Sequence, residues 1–173
     1  IELLIQKESV GPSEAATTVD PQDVDVNQIV PPTRFEKQNI AVSQRIYSFA
    51  CGDLNSDGMV DIAFYGGEPK GLYVMLQKTG KADSEKPKTL SWRAKKKIKI
   101  DDGMLTSNGL VCADINNDDA NDLILAGRDA VYIVLQKKDG SLSEPVKYPA
   151  SAQILGVEAG DLDGDNINDL III

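Results

Sequence analysis

Histidine is absent from the chain, which removes the commonest general base and the commonest transition-metal ligand. No Ser/His or Cys/His nucleophile pair can therefore be drawn, and no G-x-S-x-G, C-x-x-C or phosphate-cradling glycine loop appears. No apolar run approaches the roughly 20 residues that span a bilayer, so no membrane span is expected. The opening IELLIQKESV lacks the basic-then-apolar layout of an intact signal peptide. Positive charge is scarce too. With 18 Lys and Arg against 27 Asp and Glu the net charge is −9, which argues against a nucleic-acid surface. What remains is a globular composition, 173 residues with 42% hydrophobic and 26% charged side chains, enough for one ordinary domain.

The acidity is local. Eleven aspartates lie in three short segments, and without them the rest of the chain carries +2. GDLNSDGMVDIAFYG (52–66), ADINNDDANDLILAG (113–127) and GDLDGDNINDLIII (160–173) align on one pattern, small-Asp-apolar-Asp/Asn-x-Asp-Gly/Asp/Asn-x-x-Asp-apolar. Their first aspartates are 61 and then 47 positions apart, a repeat with variable loops. A second repeated stretch follows the aspartates: LYVMLQK (72–78) and VYIVLQK (131–137), with IELLIQK (1–7) as a weaker third copy. These are short, apolar and β-branched or aromatic, and read as buried strands. Each repeat is expected to run as a strand into the Asp loop (RIYSFAC, NGLVCA, ILGVEA), a strand out of it (DIAFY, DLILA, DLIII), the LQK strand, and a variable fourth strand within Leu90–Ile100 and Glu144–Tyr148. Residues 1–34 are expected to hold one strand, 1–7, and a Pro/Ser/Asp-rich linker; residues 35–173 hold the repeats.

The spacing suits a hard cation. Ca²⁺ takes 6–8 oxygens at about 2.3–2.6 Å. Alternate side chains of a tight loop supply them, and the sixth position needs Gly, Asn or Asp to reach positive φ. The expected ligands are Asp53, Asn55, Asp57, the Met59 carbonyl and Asp61 in the first loop. In the second they are Asp114, Asn116, Asp118, the Ala120 carbonyl and Asp122. In the third they are Asp161, Asp163, Asp165, the Ile167 carbonyl and Asp169. An EF-hand would need a Glu at position 12 and a helix after it, but Phe64, Leu125 and Ile172 stand there.

With its three Asp loops and flanking strands, the stretch 36–173 resembles the FG-GAP/VCBS repeat family. The resemblance implies an all-β chain, a β-propeller of four-stranded blades with up to three Ca²⁺ in hairpin loops, and about three blade-equivalents here. Asp119 and Asn166 depart from the family's Gly at position 6. The resemblance further implies an extracellular, periplasmic or cell-surface protein that acts as a non-enzymatic scaffold for a protein or glycan ligand. Two rivals are an accessory domain of a larger secreted enzyme and a glycan-binding lectin. A propeller needs about 4–8 blades, so the chain is expected to be a fragment of a longer ring, the reading preferred, or half of a six-bladed homodimer.

Three smaller features have ordinary expectations. Cys51 and Cys112 stand two positions before the first Asp of their repeats, where equivalent side chains point the same way. They are expected to be small buried residues without a disulfide between them. Lys95–Lys99 reads as the solvated face or edge of a fourth strand, and Trp92 as packing between blades.

Overall fold

Residues 1–6, 35–78 and 90–173 are described by a computed structural model of the chain. Twelve strands and no helix occur among them. No helix there is long and apolar enough to cross a membrane. The 8–33 linker expected from composition lies outside the described residues.

β1 (Glu2–Gln6) and β2 (Phe35–Asn39) pair antiparallel and belong to one unit, Ile1–Val42. The Ser43–Ile173 unit contains the rest. There β3 (Arg45–Gly52), β4 (Asp61–Gly67), β5 (Gly71–Met75) and β6 (Lys96–Ile98) form a four-stranded antiparallel meander. A second meander follows with β7 (Leu110–Ala113), β8 (Asp122–Ala126), β9 (Ala130–Val134) and β10 (Val146–Pro149). β11 (Val157–Gly160) and β12 (Asp169–Ile172) form a two-stranded sheet that repeats the first two strands. The sheets stay open; none closes on itself. The strands expected around each Asp loop and through LYVM and VYIV are all present. The fourth strand is shorter than expected in the first sheet: Trp92, half-buried, makes only an isolated bridge to Gln77.

Burial on both faces explains the run DLILA. In a strand, successive side chains point to opposite faces. Leu123 and Leu125 of β8 join Ala63 and Tyr65 of β4 in one core between the first two sheets. Ile124 and Ala126 face the other way, into a second core with Val157 and Leu170. Each buried Leu or Ile contributes about 1.5–3 kcal/mol, so the middle sheet is held from both sides. The same alternation corrects one expectation. Cys112 turns toward the first core and is partly buried, whereas Cys51, on the opposite face of its own sheet, is exposed. Both thiols are free. Burial above all pushes the Cys112 thiol up to about 12, too high for a thiolate at neutral pH.

The Lys-rich fourth strand lies at the sheet edge as expected. Lys95 sits with its ammonium over the stacked rings of Phe64 and Tyr73 and donates to Gln44 Oε1.

Candidate metal centre

Each acidic segment is the hairpin loop between the first and second strands of its sheet, opening from the pairs Gly52–Asp61, Ala113–Asp122 and Gly160–Asp169. The first aspartate organises the loop. Asp53 Oδ1 accepts the amides of Asn55 and Asp57, both at 3.2 Å, and Oδ2 accepts that of Gly58 at 2.7 Å. Asp114 does the same for Asn116, Asp118 and Asp119, and Asp161 for Gly164, Asp165 and Asn166. The fifth position adds a shorter turn, with Asp57, Asp118 and Asp165 accepting the amides of Met59, Ala120 and Ile167. Partial burial pushes the Asp53 carboxyl up, but the amides of Gly58, Asn55 and Asp57 hold it below its usual range.

Such tight turns need left-handed backbone. Gly58, Asp119 and Asn166 at position 6 have φ of 78°, 64° and 66°, as expected from residue type. Position 4 was not anticipated: Ser56, Asn117 and Gly164 are left-handed too, with φ of 57°, 58° and 83°. Asn117 and Gly164 carried that signal; Ser56 did not.

The ninth aspartates are tied more deeply. Asp61 is fully buried, its Oδ2 accepting the Leu54 amide at 2.9 Å and its Oδ1 the Gln77 amide at 2.7 Å. Asp122 repeats this with Ile115 at 3.2 Å and Gln136 at 2.8 Å. Burial lifts both carboxyls above their usual range; the amides oppose it, and the charges of Asp57 and Asp53, or Asp118 and Asp114, lift them further. Asp169 is only half-buried and accepts the Leu162 amide at 3.0 Å.

Donor chemistry tests whether a hard cation fits. Every side chain in the expected ligand set is a carboxylate or an amide that offers oxygen. Oxygens bound to one Ca²⁺ lie at most about 5 Å apart, twice the metal–oxygen distance. Carboxylate oxygens of Asp161, Asp163 and Asp169 lie within 4.8 Å of one another, inside that limit. Among the described residues the first two loops bring no three carboxylates that close together. The donor set fits Ca²⁺ in all three loops, and the spacing fits in the third.

Two further features join neighbouring loops. Asn121 and Asn168, at position 8, donate to the carbonyls of Asp53 and Asp114 in the loop of the preceding sheet, at 3.3 and 2.8 Å. Gln136, from the LQK stretch, donates through Nε2 to Asp53 O and Asn121 O and accepts from Ser56 Oγ. The repeat of Gln was visible in the sequence; its reach into the next sheet's loop was not.

Residues 114–172 match the family model described as FG-GAP-like repeat, a span that holds the second and third loops and strands β8 to β12. No curated protein and no solved structure matches the chain. The first loop, outside the matched residues, carries the same aspartates, amide turns and flanking strands as the FG-GAP-like pair in 114–172.

Proposed function

We propose that the chain is a calcium-stabilised β-propeller segment of a secreted or surface-exposed protein, and that it works as a non-enzymatic binding scaffold. The observation that carries the metal reading is the approach of Asp161, Asp163 and Asp169 within 4.8 Å in a loop that is otherwise all oxygen donors. Like charges held this close repel and weaken the fold unless a cation lies among them. Asp161, Asp163, Asp165 and Asp169 would hold the ion with the Ile167 carbonyl; the first and second loops would hold theirs with the equivalent residues. An ion in each hairpin pins a turn at one end of a sheet and offers no reacting group. Successive sheets stacked face to face, each entered through an acidic hairpin, support the propeller arrangement. The scaffold reading follows from the family and from the absence of histidine and of any nucleophile–base pair in the sequence.

Melting followed by circular dichroism in chelator and in millimolar Ca²⁺ tests this, since extracellular Ca²⁺ modules bind at about 10⁻⁴–10⁻³ M. The expected result is a higher midpoint in Ca²⁺ than in the same concentration of Mg²⁺, which resists irregular sites. Equal midpoints in chelator and Ca²⁺ overturn the metal reading.

A further inference from the structure

We infer that the first acidic loop carries a resident cation, the Arg93 guanidinium, which competes with Ca²⁺ for Asp57 and lowers this loop's affinity for the ion. The inference rests on the calcium reading above. Asp57 spends one oxygen on its own turn, Oδ1 accepting the Met59 amide at 3.0 Å. Its other oxygen, Oδ2, faces Arg93 Nη2 at 3.8 Å. An arriving Ca²⁺ needs a carboxylate oxygen at about 2.3–2.6 Å, and a positive charge already beside that oxygen repels it. Among the described residues no basic side chain forms an ion pair with a carboxylate of the second or third loop.

The second repeat shows that the fold does not need this arginine. After each LQK stretch the chain returns along it through matching contacts. Lys78 N–H donates to Ser91 O and Lys137 N–H to Ser141 O, both at 2.7 Å. Gln77 bridges to Trp92 and Gln136 to Leu142. Arg93 N–H then donates to Leu76 O, and Ser143 N–H to Leu135 O, both at 2.8 Å. Arg93 and Ser143 therefore occupy one position of the repeat. Ser143 turns its hydroxyl back on its own strand, accepting the Leu135 amide and donating to Glu144 O, each at 2.9 Å. In that repeat Asp118 Oδ2 meets only the neutral Asn116 amide, at 3.1 Å. The backbone of this position is the same with or without a charge on it, so the arginine acts on the loop alone. Its side chain is 52% exposed, so solvent screens the pair and the competition is modest, about two- to fivefold in Kd. A guanidinium keeps its charge at any ordinary pH; salt, not pH, is what weakens it.

Calorimetric titration of the full chain with Ca²⁺ at low salt tests this. Arg93→Ser, which installs the second repeat's residue, is expected to tighten one site about two- to fivefold and leave the others unchanged. Arg93→Gln keeps most of the stem without the charge and is expected to do the same, whereas Arg93→Lys keeps the charge and is expected to stay near the unaltered chain. The gain is expected to shrink at high salt and to vanish when Asp57→Asn is added. Isotherms unchanged in both neutral variants, a gain that survives Asp57→Asn, or Arg93→Lys behaving as the neutral variants do, overturns the role given to Arg93. If one neutral variant fails to fold, the other carries the test. Ca²⁺ binding that is the same with and without the arginine overturns this inference alone; no binding and no Ca²⁺-dependent rise in melting in any of these chains overturns the calcium reading itself.

Discussion

Asp61 and Asp57 belong to one loop, yet their surroundings assign them different work. Asp61 is fully buried, with one oxygen on the Leu54 amide and the other on that of Gln77. Asp57 is exposed at the tip, accepts the Met59 amide, and faces Arg93 across 3.8 Å, a surface pair of little worth. Asp61→Asn would turn an NH₂ toward one of two buried N–H groups and leave it unpaired. In chelator this is expected to cost about 1–3 kcal/mol by urea denaturation. Asp57→Asn in chelator is expected to stay within about 0.5 kcal/mol and to reduce the Ca²⁺-dependent gain. Equal losses for both variants without the ion would show that this division of labour is wrong. At this scale the sequence was legible where chemistry depends on residue type alone: alternating oxygens, and Gly, Asn or Asp where φ is positive. It was silent on Ser56, because serine has no special preference for the left-handed region and is driven there by the amides converging on Asp53.

Between elements, the unit of cohesion is a loop joined to its neighbour. Gln136 is 2% exposed and spans both loops, donating to Asp53 O and Asn121 O at 3.0 Å each. Asn121 Nδ2 reaches the same Asp53 carbonyl. Gln136→Met keeps the volume but strips these carbonyls of a donor in a dry site, and is expected to cost about 2–4 kcal/mol. Asn121→Ala alone is expected to cost about 1 kcal/mol. Because the two amides share an acceptor, the double variant is expected to depart from additivity by at least about 0.5 kcal/mol. Additive losses would show that each amide acts alone. Gly140 adds to the same junction: its φ is 74°, and a Cβ there would lie 2.4 Å from the Asn55 carbonyl oxygen. The strands themselves were legible from short apolar runs punctuated by turns. These ties were not, because a Gln or Asn acquires meaning only when the adjacent loop is known.

At the scale of the whole molecule, one repeat position reports on which sheets are covered. Leu54 and Leu162 both follow the first aspartate of their loops, and sequence treats them alike. The variable repeat spacing and the third LQK copy were readable in the sequence. Which apolar residues have a sheet over them was not, since burial between sheets is a long-range property. Leu54 is packed in the first core, so Leu54→Ala is expected to cost about 2–5 kcal/mol whatever the protein concentration. Leu162 is 67% exposed, so Leu162→Ala removes only open apolar area and is expected to leave the melting midpoint within about 1 °C. Calorimetry of the two variants checks the contrast, and a loss at Leu162 as large as that at Leu54 would show that the equivalent positions are covered alike.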